Sequence, residues 1–190
     1  KHDACLLLDP DCVPSMNLLD HARKIFDPSI LFTGWIWYID KNGDIHKEAS
    51  QTGSQLLGKS RWIDINERGC YKVLGGCMYF SKQRATLTGL FNTEYNGTWG
   101  QGEHDFALAC YHSGMRLRFE AGLQVKHLYH EANRPGNYET NQRLLTRNMI
   151  DYRDTFNYLT PYNPAVAVLV VTMMRPYYID QVMSYYRRLT

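Results

Sequence analysis

Asp9 and Asp11 stand at i and i+2 directly behind an apolar run, Leu6-Leu7-Leu8, with Pro10 between them and Pro14 shortly after. Proline fixes φ and stiffens the turn that would hold the two carboxylates. Two hard oxygen ligands on a short turn suit Mg²⁺ or Mn²⁺, which bind one or two carboxylates together with substrate phosphates. Three consecutive leucines fit a strand buried on both faces, as in the middle of a parallel sheet, where ligands gather at the carboxyl ends of the strands. The same residues also describe an ordinary strand-end turn with solvated carboxylates, because Asp and Pro are common turn formers.

A second group of reactive side chains lies in Trp99-Gly100-Gln101-Gly102-Glu103-His104-Asp105. Here a glycine-rich loop runs into a helix whose first turn carries two carboxylates and an imidazole. Carboxylates are favoured at that position by capping and by the helix dipole. They could equally serve as a general base that takes the proton of an attacking hydroxyl. A third group is Val125-Lys126-His127-Leu128, where a strand-terminal His could complete a metal site, contact a diphosphate or simply be a hydrogen-bonded surface residue. Gly75-Gly76, ahead of Cys77-Met78-Tyr79-Phe80, reads either as a bulge or as a close approach of backbone to ligand.

The elements that must hold these residues follow from the hydrophobic pattern. Asn17 to Phe26 has helical spacing, and Ile30 to Ile39 is an alternating, aromatic-rich strand that ends at the hairpin turn Asp40-Lys41-Asn42-Gly43. Lys47 to Arg68 is polar and irregular, and Cys70 to Ser81 is a strand region interrupted by the glycine pair. Glu103 to His112 is a helix stopped by Gly114, Leu117 to Leu128 a strand, and Gln142 to Tyr158 a long amphipathic helix. Pro161 to Pro164 reads as a linker, followed by a buried-type strand, Ala165 to Val171, and a helix opened by Pro176.

Composition narrows the classes. The 190 residues suit one domain plus a fragment, and an apolar fraction of 44% supports a core. A net charge of +2, with no basic cluster beyond Arg187-Arg188, offers nothing for nucleic acid. The longest apolar stretch, Ala165 to Met174, falls short of the roughly 18–20 residues of a membrane helix. Five cysteines without a CxxC pair favour free thiols and a reducing, cytoplasmic setting over a disulfide framework or structural zinc. Asn96-Gly97-Thr98 is a sequon of a kind that arises easily by chance.

In their order, these segments resemble the second half of a GT-A glycosyltransferase: apolar strand and Asp-x-Asp, Gly-Gly strand, Trp-Gly-x-Gly-Glu-x-Asp helix ending at Ser113-Gly114, then strand and His. The nearest likeness is to the large inverting group that includes rhamnosyl-, galactosyl- and chondroitin-type transferases, and it covers residues 1–131. The resemblance implies an α/β fold with a mixed sheet flanked by helices. It implies a nucleotide-diphospho-sugar donor, a UDP-sugar first, with Mn²⁺ or Mg²⁺ and a hydroxyl of a glycan or glycoprotein as acceptor. Asp11 would coordinate the metal, Asp9 would hold ribose or a metal-bound water, and His127 would be a further ligand. Glu103 would be the base, Asp105 would orient the loop or the acceptor, and Trp99, Gly76 and Gly102 would border the acceptor. Trp35 and Trp37 could join that platform or be core.

The helix motif departs from the group's usual Glu-Asp-x-Asp. Counting back from Gly114 puts Glu103 on the base position, whereas counting forward from Trp99-Gly100 puts His104 near it. The half of the fold that grips the nucleotide base is expected before Lys1, and Val166 to Leu189 resembles such a beginning. Residues 1–160 then read as the metal and acceptor half of one transferase unit. Residues 161–190 read as a linker and the start of another, as in a tandem enzyme. Two rival readings are a non-catalytic nucleotide- or carbohydrate-binding module and a metal-dependent phosphate-ester hydrolase.

Overall fold

A computed structural model describes residues 3–40, 42–45, 61–95, 100–128 and 138–156. The leading apolar run forms β1 (Ala4–Leu8), and after a turn a short β2 (Cys12–Pro14) follows. Then come α1 (Leu18–Ile25), β3 (Ile30–Ile39), β4 (Trp62–Ile65) and β5 (Cys77–Ser81). The order closes with α2 (Lys82–Leu87), α3 (Gly102–His112), β6 (Arg116–Leu128) and α4 (Tyr138–Phe156). The tail beyond residue 156, with its expected linker, strand and helix, lies outside the described residues.

The strands form one mixed sheet in the order β1-β5-β3-β6-β2, with β4 also paired to β6. Only β3 and β6 are parallel neighbours among the described strands; β1–β5, β5–β3, β2–β6 and β4–β6 are antiparallel. Two successive antiparallel pairings make β1 run the same way as β3 and β6. The residues after β1 and the end of β6 therefore share one edge of the sheet, and Gly75-Gly76, just before the oppositely running β5, arrive there too.

The sequence reading needs three corrections. Among the described strands β1 is not in the middle of a parallel sheet; its strand neighbour there is β5, to which it pairs antiparallel. Its leucines are apolar on both sides because Leu7 packs on one core cluster while Leu6 and Leu8 pack on the other. β3 is not alternating in burial: it is buried continuously from Ile30 to Gly34, as expected when helices cover both faces. Cys70 to Ser81 is not one strand, since Glu67–Lys72 forms a 3-10 turn and the strand begins only at Cys77. That turn and β4 lie wholly or partly within the segment read as irregular.

Two apolar layers hold the sheet. One packs Leu31, Met78, Phe80, Leu117 and Phe119 against Phe106 and Cys110 of α3, with Leu145 and Met149 of α4 behind. The other packs Phe32, Ile36, Leu123 and Val125 against Leu18 and Ala22 of α1. Glu67 joins the 3-10 turn to both helices of the first layer, its Oε1 accepting from Arg153 Nε at 2.7 Å and from His112 Nε2 at 3.0 Å. The Arg153 hydrogen bond holds the Glu67 carboxyl below its ordinary pKa.

The parallel pair β3–β6 is interrupted by a register shift between Thr33 and Trp35, where β6 carries extra residues. Gly34 makes that shift fit. A Cβ on it would lie 2.5 Å from Cys77 Sγ and 2.5 Å from the Leu123 carbonyl oxygen, so one neighbour that would have to move is backbone. Gly34→Ala should lower folding stability by about 1–3 kcal/mol, the usual cost of overpacking a core. Urea unfolding measures it, and a loss under about 0.5 kcal/mol, the level of a neutral surface change, would show that the bulge yields easily.

Candidate metal and acceptor site

Asp9, Pro10, Asp11 and Cys12 form a tight turn closed by the Cys12 amide donating to the Asp9 carbonyl at 3.0 Å. Pro at the second position and Asp at the first are the residues such turns favour. The turn launches β2 against the end of β6 in a register that sets Cys12 opposite His127. His127 Nε2 thereby lies 3.2 Å from Asp11 Oδ2. One donor atom from each of Asp9, Asp11, Cys12 and His127 lies within 4.8 Å of the others. Tyr38, at the end of β3, walls this group with its ring 4.9 Å from that of His127.

The electrostatics are strained toward a cation. Asp9 stands at the exposed rim, yet partial desolvation first, then the charge of Asp11 and more weakly Glu103, push its pKa above the ordinary value, with His127 pulling the other way. Burial and the same two aspartates push the Cys12 thiol up to about 11. A divalent ion would reverse each of these effects, which is how bound metals act on nearby ligands. The mixture of carboxylate, imidazole and thiol donors fits such an ion.

Gly75 and Gly76 form the link to the helix motif. A Cβ on Gly75 would lie 3.7 Å from Glu103 Cβ and 3.9 Å from Asp9 Oδ1, so this residue separates the two carboxylates. A Cβ on Gly76 would meet Ile36 Cδ1 at 2.8 Å, Asp9 Oδ2 at 3.2 Å and Cys12 Sγ at 3.4 Å. Glycine here lets Ile36 and the Asp9–Cys12 turn close over the backbone.

α3 presents its first turn through two successive left-handed residues, Gly100 (φ 79°) and Gln101 (φ 75°). Gln101 Nε2 donates to Gln142 Oε1 at 2.8 Å, and its Oε1 lies 2.8 Å from His104 Nδ1. The Gly100 carbonyl accepts from Asn141 Nδ2 at 3.0 Å. The first turns of α4 thus clamp the loop that aims α3. Glu103 emerges partly exposed beside the glycine pair, with His104 Nε2 at 4.0 Å from its Oε1. Burial holds His104 below its ordinary pKa, and Glu103 opposes this, so the neighbouring imidazole is biased toward neutral.

Asp105 goes elsewhere. It is fully buried and accepts from Asn148 Nδ2 at 2.9 Å, Tyr152 OH at 2.9 Å and Tyr95 OH at 3.4 Å. Its contacts are those of a residue that fixes α3 to α4. Gly102 faces Tyr95, 3.6 Å from where its Cβ would be. Trp99 lies outside the described residues. Trp35 and Trp37 stack on each other at 4.8 Å, and Trp35 also packs edge-on against Phe119 of the core. Cys12 was not singled out from sequence; its signal was adjacency to Asp11 at the start of a strand.

No protein-family model matches the chain, and no curated protein matches it by sequence. Among solved structures it is similar to GalNAc-T7, a GT-A glycosyltransferase solved with UDP, GalNAc and Mn²⁺, at 15% identity and a TM-score of 0.51. The match covers 94% of this chain and 38% of GalNAc-T7, so the chain spans well under half of that protein. The likeness shows the fold: a GT-A-like mixed α/β sheet flanked by helices. Among the described residues, no helix is long and apolar enough to cross a membrane.

Two measurements test this geometry. Gly76→Ala should remain folded, because the tightest clash is with the movable end of Ile36, but should weaken Mn²⁺ binding by about tenfold, as disturbing the surroundings of metal ligands does; isothermal calorimetry reads it. Asp105 tests the pH sign. Burial, its largest influence, raises the Asp105 pKa against three hydrogen bonds that lower it. Its contribution to stability is therefore present in acid and lost as pH rises through the folded value. Urea unfolding should show wild type losing stability relative to Asp105→Asn between acid and neutral pH; parallel curves would count against it.

Proposed function

We propose that this chain is the metal- and acceptor-binding part of a metal-dependent glycosyltransferase that moves a sugar from a nucleotide diphosphate to a hydroxyl of a glycan or glycoprotein. The observation that carries the reading is the convergence of Asp9, Asp11 and His127 on one sheet edge, with Glu103 just across Gly75. The GT-A-like fold and the neighbour's bound UDP and Mn²⁺ support it.

In this reading Asp11 and His127 hold Mn²⁺ or Mg²⁺, and Asp9 holds the donor ribose or a metal-bound water. The ion, when bound, offsets the charge that develops on the departing diphosphate. Glu103 accepts the proton of the acceptor hydroxyl as that oxygen bonds to the sugar carbon, and attack opposite the leaving group inverts the carbon. His104, held through Gln101, stands beside the base, and its neutral ring adds no positive charge there. Asp105 acts as a positioning residue through α4. The donor is most simply a UDP-sugar. Gly76, Gly102 and Trp99 border the acceptor. Residues 161–190 belong to a following unit in this scheme, and the free thiols suit a cytoplasmic, reducing setting.

The test separates binding from chemistry. UDP should bind only with Mn²⁺, and Asp11→Ala should abolish that binding in calorimetry. Glu103→Gln should bind Mn²⁺ and UDP as wild type does but transfer sugar some 10²- to 10⁴-fold more slowly, the usual worth of a general base. UDP binding that ignores both metal and Asp11 would overturn the reading. Release of phosphate from simple esters without sugar transfer would point to a hydrolase.

A further inference from the structure

Cys12 sits in the metal cluster by construction of the backbone rather than by accident of a rotamer. Its amide is tied to the Asp9 carbonyl, and its position in β2 is fixed opposite His127. The point where Gly76 lacks a side chain is flanked by Asp9 Oδ2 at 3.2 Å and Cys12 Sγ at 3.4 Å, so carboxylate and sulfur border the same small space. Ligands on opposite sides of one divalent ion are separated by roughly 4–4.6 Å, twice the usual metal–ligand distance. The 4.8 Å span of the four donor atoms is close to that limit. A carboxylate-only site of this kind would suit Mg²⁺ or Mn²⁺, whereas adding sulfur and imidazole shifts preference toward borderline-soft ions.

We propose that Cys12 is a thiolate ligand of the same ion, losing its proton to solvent on binding, and that it makes the site prefer Zn²⁺, Co²⁺ and similar ions over Mg²⁺. The inference rests on the metal site of the proposed function and goes beyond it in naming a sulfur donor and a selectivity. Its consequence is regulatory: Zn²⁺ would hold the site against Mn²⁺.

Co²⁺ is the probe, because thiolate ligation gives a near-ultraviolet charge-transfer band separate from the visible d–d bands of any bound Co²⁺. Titrating Co²⁺ into the reduced protein should raise both sets of bands to saturation at one equivalent. Cys12→Ser should lose the charge-transfer band, keep the d–d bands and bind Zn²⁺ at least about tenfold more weakly, since a direct ligand matters no less than its surroundings. Its Mg²⁺ affinity should change little. Far-ultraviolet dichroism, and Cys12→Ala as a second variant, establish that the fold survives. Visible bands without charge transfer in wild type would overturn the thiolate while leaving the metal site standing. A charge-transfer band that persists in Cys12→Ser would assign the sulfur to another cysteine and also overturn it. No Co²⁺ bands in wild type would remove both the inference and the reading beneath it, whereas their loss in Asp11→Ala is what that reading expects.

Discussion

The register between β2 and β6 is the constraint on which the site depends. β2 is only three residues long, and it pairs with the last residues of a strand whose register with β3 is itself interrupted by a bulge. Side chains alternate across a sheet, so a slip of one residue would turn His127 to the opposite face from Asp11. β6 resists that slip because it is held along its length: β3 pairs with both halves, β4 with the first and β2 with the last. α1 adds a clamp at the bulge, where His21 Nε2 lies 3.1 Å from the buried Glu120 Oε1. Pro14 ends β2, which is the last strand of the sheet among the described residues, a place where a missing amide donor is tolerated.

Two carboxylates two residues apart in the first turn of α3 have opposite fates, and helix geometry explains it. A residue advances about 100° around a helix, so i and i+2 point some 200° apart. If Asp105 faces α4 and finds two donors there, Asn148 and Tyr152, with Tyr95 as a third beside them, Glu103 must face away from it, toward the glycine pair and the aspartate turn. Burying Asp105 therefore orients Glu103. It also explains why a helix that carries acids in its first turn has one deeply desolvated acid and one partly exposed beside Gly75, although the dipole favours both.

Much of this was legible in the chain. The Asp-Pro-Asp turn, the glycine-opened helix with its stop at Gly114, and the long strand ending near His127 are local signals, and they appear where periodicity and turn chemistry put them. What was not legible was pairing. A strand paired antiparallel with both faces covered has the same apolar letters as a central parallel one, so the pairing of β1 was misread. The four residues of β4 carry too short a pattern to register against the polar residues around them. Cys12 escaped because a ligand's worth depends on what stands opposite it, and His127 lies more than a hundred residues away in sequence.

Gln101 shows how far the helix motif is built around its supports. A non-glycine residue in the left-handed region costs about 1–2 kcal/mol, and a second glycine after Gly100 would have avoided that cost. Gln101 is instead buried and spans from His104 to Gln142. Two hydrogen bonds at about 1 kcal/mol each roughly offset the strain. The net gain is small in stability but definite in geometry: with Gln101 Oε1 2.8 Å from its Nδ1, the His104 ring is held with Nε2 4.0 Å from Glu103 Oε1. Strain that brings so little stability and fixes the ring beside the candidate base is the pattern expected of a functional turn. It makes α4, which holds Gln101 and the Gly100 carbonyl, part of what aims the helix motif.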